Sequence, residues 1–148
     1  MEEYISLKLE NQLCFPLYVC SREIIKKYKP VLDKLNLTYT QYITMMVLWE
    51  KKECRVNELG KYLHLDSGTL TPLLKKLENK GYLKRIRDKN DERNLNIIIT
   101  NSGIALRKKA LIVPQEVKKC INLSEEEIIV LYKLLYKLIN NMEGENND

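Results

Sequence analysis

Four cysteines, at positions 14, 20, 54 and 120, and one histidine, His64, are the side chains of this 148-residue sequence best suited to redox chemistry, nucleophilic attack or soft-metal binding. No two cysteines form a C-x₂-C pair. His64 has only Asp66 near it at ligand or triad spacing, so a polar residue at a helix end is the expected reading. No G-x-S-x-G, Walker loop or G-x-G-x-x-G occurs. The sequence therefore points away from an enzyme, a metal site or a cofactor. Cys14 has the most unusual setting, "LENQLCFPLY", with Pro16 two residues on. That proline must sit in the first turn of a helix or disturb the second. From the residues alone Cys14 is equally core filling, a common fate of free cysteine, or a working thiol.

The second chemical feature is charge. Residues 67–93 hold eight basic side chains (Lys75, Lys76, Lys80, Lys84, Arg85, Arg87, Lys89 and Arg93) against four acidic ones, which is +4 of the net +5 of the whole chain. Such a local excess suits a polyanion. At its start stand the short polar residues Ser67, Thr69 and Thr71, which let a helix enter a major groove.

The elements that position these groups follow from periodicity. Leu13, Leu17, Cys20, Ile24, Tyr28, Val31 and Leu35 recur at threes and fours, a helix expected to bend or end near Pro30. Thr38 or Thr40 caps a second helix whose "YITMMVLWEKK" is apolar nearly all round. A short helix carries Val56, Leu59, Tyr62 and Leu63. After it Asp66 or Ser67 caps another, with Leu70, Leu73, Leu74 and Leu77 on one face, Pro72 in or just past its first turn and Gly81 beyond its end. "YLKRIR" and "NLNIIIT" around "DKNDER" predict a β-hairpin. A helix from Thr100 or Ser102 through Val117 follows, kinked by Pro114. The last begins at the capping box Ser124/Glu127 and carries Ile128, Leu131, Leu135, Leu138 and Met142.

The expectation is one domain, 1–148, mainly α with a small β-hairpin. A winged helix-turn-helix occupies about 37–100, and dimerisation helices about 5–36 and 101–142. A hydrophobic content of 45% with 30% charged residues suits a folded chain, and the tail "EGENND" is expected to fray. With neither leader nor membrane span in view, a cytoplasmic protein with thiols reduced is expected. The apolar seams of the terminal helices exceed what a small reading head covers, which predicts a homodimer on paired half-sites of double-stranded DNA. Lys75, Lys76, Arg85, Arg87 and Arg93 are the expected basic contacts, Arg93 at the wing tip reaching a narrow minor groove.

The stretches "LENQLCFPLYVCSREIIKKYKPVLDKLNLTYTQYITMMVLWE", "LDSGTLTPLLKKLE" and "DERNLNIIIT", spanning about residues 7 to 142, resemble the MarR-type winged-helix regulators, and among them the OhrR organic-hydroperoxide repressors. The resemblance implies that Cys14 is a peroxide-reactive thiol hydrogen-bonded by Tyr28 and Tyr39, and the neighbouring Phe15, Leu17 and Tyr18 would give it an apolar wall. It implies DNA contacts at Ser67, Thr69, Thr71, Pro72, Lys75 and Arg93, and a resolving thiol near Cys120 that pairs with the reactive thiol of another subunit. Oxidation by an organic hydroperoxide would then release the repressor. A MarR-type regulator released by a small aromatic ligand, and more remotely a thiol peroxidase, are the alternatives.

Overall fold

The computed structural model describes residues 2–91 and 93–145, so Glu92 of the wing and residues 146–148 of the tail lie outside it. Among the described residues, seven α-helices and three strands follow two short 3-10 turns: α1 (Cys14–Asp33), α2 (Tyr39–Lys51), β1 (Glu53–Arg55), α3 (Val56–Leu63), α4 (Ser67–Asn79), β2 (Leu83–Arg87), β3 (Leu95–Ile99), α5 (Asn101–Ala110), α6 (Ile112–Lys118) and α7 (Glu125–Glu145). They fall into two compact units, one ending at Val117 and the other beginning at Lys118.

In the first unit α2 is the hub. Thr38 Oγ1 accepts the Gln41 amide at 3.3 Å while Gln41 Oε1 accepts the Thr38 amide at 3.2 Å, a reciprocal cap. From there Met45 and Leu48 are fully buried against Leu59 of α3, Leu70, Leu74 and Leu77 of α4 and Val113 of α6, all in one core. Each such side chain contributes about 1.5–3 kcal/mol on burial. Trp49 closes the core toward α5, its Nε1 donating to the Gly103 carbonyl at 2.8 Å.

The expected hairpin is present as β2 and β3, with Arg85 opposite Ile97, but β1 joins its other edge to make a three-stranded sheet in the order β1-β3-β2. Three residues of Glu-Cys-Arg carry no strand pattern of their own. The open edge of β3 recruits them, pairing Cys54 with Ile97. The expected kinked helix is two helices, broken at Leu111, because Pro114 has no amide for the Ala110 carbonyl and its ring crowds that turn. Helix α1 ends at Asp33, within a turn of Pro30 as expected.

The second unit is dominated by α7. Ser124 and Glu127 form the expected box, Ser124 N to Glu127 Oε2 at 2.8 Å and Glu127 N to Ser124 Oγ at 3.2 Å. Ile128, Leu131, Leu138 and Met142 on this helix are exposed, as are Leu13, Phe15, Tyr18, Ile24 and Ile25 around and along α1 in the first unit. No helix among the described residues is long and apolar enough to cross a membrane.

Candidate nucleic-acid interface and thiol site

Helix α4 has two faces with different tasks. Leu70, Leu73, Leu74 and Leu77 are buried, so the helix is fixed by its apolar side, and Ser67, Thr69, Thr71, Pro72, Lys75 and Lys76 are all exposed on the other. The N-cap is Asp66, whose Oδ1 accepts the Thr69 amide at 2.7 Å. That amide and the Thr69 side chain are the main reasons its carboxyl is held below the usual carboxylate range. Pro72 lies just past the first turn. At the far end Gly81 takes a φ of +78°, a left-handed conformation that suits glycine, and Tyr82 N returns to the Leu77 carbonyl at 3.1 Å. His64, the lone histidine, takes a left-handed φ of +51° as the C-cap of α3, at the turn before α4.

The wing is pinned at its tip by aspartates. Asp91 Oδ1 accepts the Arg93 amide at 3.1 Å, Asp91 Oδ2 accepts from Asn94 Nδ2 at 3.1 Å, and Asp88 N donates to the Asn94 carbonyl at 2.9 Å. Arg87 and Arg93 are exposed there, together with Lys84 and Lys89.

Two of the eight basic residues behave differently. Arg85, expected at the DNA, is half-buried and turned back onto α4. Its Nε and Nη2 both lie 2.8 Å from Glu78 Oε2, and its backbone N donates to Glu78 Oε1 at 2.9 Å. Its charge is thus met within the chain by Glu78, unlike the exposed Arg87 and Arg93. Lys80 is likewise turned inward, onto the Asn36 carbonyl and Gln41 Oε1. Neither role is legible in a charge count. The signal for the first is an acid and a base seven residues apart across the α4–β2 turn, a spacing that brings them together only once that turn is known.

Cys14 is the first residue of α1 and is exposed, which removes the core-filling reading. Pro16 is the third residue of the helix, so it occupies the first turn, where backbone amides have no intrahelical acceptor. Cys14 therefore stands at the positive end of α1. Tyr28 and Tyr39 come together, ring centroids 4.9 Å apart and edge to face, with Tyr42 at 6.0 Å from Tyr28. Burial first, and Tyr39 second, push the Tyr28 hydroxyl up, and burial does the same to Tyr39, so both remain neutral donors. The chain does not bring this pair to its own Cys14. Cys14 and Tyr28 are fourteen residues apart on one helix, about 21 Å along its axis.

Cys20, also on α1 and exposed, is about 9 Å along the axis from Cys14, beyond bridging distance. Burial, and then Glu58, push the Cys54 thiol up and away from the reactive anion. Cys120 is exposed, two residues after the end of α6.

A helical head with a recognition helix, a β-wing and exposed cations on both defines a winged-helix DNA-binding transcriptional regulator. The family model "Transcriptional regulator SarA/Rot" matches residues 26–109, and the chain belongs to that family. It is 45% identical over 140 residues, 95% of each chain, to the organic hydroperoxide resistance transcriptional regulator of Bacillus subtilis strain 168. Among solved structures, reduced AbfR bound to DNA superimposes with a TM-score of 0.80 at 32% identity, over 97% of this chain and 98% of that one. Disulfide-formed AbfR gives 0.64 at 33% identity, over 96% and 97%; the protein comes from Staphylococcus epidermidis. The MarR-type, OhrR-like resemblance read from the sequence is thereby borne out.

Proposed function

We propose that this regulator is a thiol-switched repressor, a homodimer that holds an inverted-repeat operator while Cys14 is reduced and releases it when an organic hydroperoxide oxidises Cys14. The observation that carries the reading is the exposed Cys14 at the first residue of α1, at the positive end of the helix dipole. The similarity to the B. subtilis hydroperoxide regulator supports the choice of oxidant.

In this mechanism the Cys14 thiolate attacks the terminal oxygen of the hydroperoxide. The S–O bond forms as the O–O bond breaks, the alkoxide leaves and is protonated to the alcohol, and the thiol becomes a sulfenic acid. A second thiol then condenses with it, forming S–S and releasing water. Cys120 of the partner subunit is the first candidate, and a small cellular thiol the second. Since Tyr28 lies about 21 Å along the α1 axis from Cys14 of its own chain, and Tyr39 packs on Tyr28, the hydroxyls that steady Cys14 come from the partner subunit. The uncovered apolar faces of α1 and α7 support such a pairing of chains. Each chain reacts once per oxidation, as a cytoplasmic sensor and not as a turnover catalyst.

The test is a gel shift of reduced protein on its own promoter DNA, before and after one equivalent of organic hydroperoxide, with reversal by dithiothreitol. Cys14→Ser is expected to bind DNA and ignore the oxidant, and a variant that still releases would exclude the mechanism. Cys120→Ser is expected to lose the disulfide-linked dimer on non-reducing electrophoresis. A mainly apolar cleft of about 300 Å³ bordered by Ile25, Leu32, Leu37 and Tyr39 favours one other reading, release by a small apolar ligand. Ligand-dependent release by a protein indifferent to peroxide would select it.

A further inference from the structure

Helix and wing read different grooves, so a winged helix is a two-point binder whose second contact depends on how firmly the wing is held at the right angle. Loosening that angle lowers the effective concentration of the wing at its groove without removing any contact. The structure holds one obvious device for fixing it. Glu78, on the last turn of α4, takes two hydrogen bonds from a single wing residue, the Arg85 amide on Oε1 and the guanidinium Nε on Oε2, and Nη2 adds an ion-pair contact to Oε2. Main chain and side chain of β2 are thereby both tied to the recognition helix. In the strand, Arg85 shares a face with Leu83, which is 1% exposed, while Lys84 and Ile86 take the opposite face. To reach a phosphate Arg85 would have to leave an oppositely charged, forked partner, whereas Arg87, one pleat nearer the tip, is exposed.

We propose that Glu78 and Arg85 are a positioning pair that sets the wing against the recognition helix, and that Arg85 makes no contact with DNA. The proposal rests on the DNA-binding assignment and adds to it two residues whose role is geometric.

The test uses the full-length protein and a labelled duplex that the parent selects from a randomised pool, with a scrambled duplex of equal length as the non-specific probe. Affinity is measured across a salt series for the parent, Arg85→Ala, Arg85→Lys and Glu78→Gln, with folding of each followed by its melting curve. A positioning pair predicts that all three variants bind the selected duplex about tenfold more weakly, since a charged, forked hydrogen bond is lost in each. It predicts that the scrambled duplex is bound as before and that the slope of log K against log salt is unchanged. Lys75→Ala serves as the contrast, its slope falling by about 0.9 as one phosphate contact goes.

A direct phosphate contact gives the opposite pattern. Arg85→Lys would then keep the parent's affinity, because an ammonium serves a phosphate as a point charge but cannot replace the fork on Glu78. Arg85→Ala would lose about 0.9 of slope, and Glu78→Gln, freeing the guanidinium, would bind more tightly. Any of these, or variants that all bind as the parent does, overturns the proposal while parent binding stands. A parent that selects no duplex overturns the DNA-binding assignment with it.

Discussion

Lys80 Nζ, at the C-cap of the recognition helix, donates to Gln41 Oε1 on α2 at 2.9 Å, and the same oxygen closes the cap of α2 by accepting the Thr38 amide. One buried amide thus joins the start of α2, where Tyr39 stands, to the end of α4. Burial first, and Lys76 second, push the Lys80 ammonium down. Lys80→Met is expected to lower stability by about 1 kcal/mol, a charge-assisted bond weakened by partial exposure, read as a lower urea midpoint at unchanged m. An unmoved midpoint would mean that the link carries no stability.

The Glu78 carboxyl is held below its usual value of 4.5, first by the Arg85 amide, then by hydrogen bonding and charge from the guanidinium. A depressed carboxylate stabilises the fold fully above its unfolded pKa and ceases to do so as pH falls through the folded value. The difference in melting temperature between the parent and Glu78→Gln is therefore expected to hold from neutral pH down to about 4.5 and to close below it. A gap that persists undiminished in acid would mean the side chain acts through packing alone.

At Gly103 a Cβ would stand 2.2 Å from the Tyr82 carbonyl oxygen and 2.8 Å from Ile99, and the same residue's carbonyl takes the Trp49 indole. Gly103→Ala is expected to cost about 1–3 kcal/mol because backbone has to move. Trp49→Phe is expected to cost about 1 kcal/mol through loss of the indole hydrogen bond. Chemical denaturation measures both, and a Gly103→Ala protein as stable as the parent would contradict the close packing of α5 on the β2 entry.

Tyr28→Phe keeps the ring against Tyr39 and removes only the hydroxyl. If that hydroxyl steadies the Cys14 anion of the partner subunit, the variant binds DNA normally but reacts with organic hydroperoxide about tenfold more slowly, one hydrogen bond to a charged group having been lost. Stopped-flow measurement of thiol loss decides it. Parent-like kinetics would remove Tyr28 from the thiol's surroundings.

What the sequence revealed depended on range. Asp66, Gly81, Thr38 and the Ser124/Glu127 box act within one helical turn of their partners, and each was readable from spacing. The β1 strand was not, because Glu53–Arg55 become a strand only when the edge of β3 arrives from more than forty residues away. The break at Leu111 lies three residues before the proline that causes it, since the clash acts on the preceding turn. The exposed face of α4 is legible because the leucine face dictates which positions remain outside. The inward turn of Arg85 and Lys80 is not legible, because a cation's sequence position does not say which way it points. The residue types around Cys14 left its burial open, and the structure decided it.

Asp66 puts a full negative charge at the mouth of the recognition helix, where bare amides would otherwise form a socket for phosphate. The carboxylate already fills that socket. A register in which the helix tip rests on the sugar-phosphate rail is therefore penalised by repulsion, while one that offers Ser67, Thr69 and Thr71 to base edges keeps the acid away from the rail. The cap that starts the helix thus also makes its tip a poor seat for a phosphate.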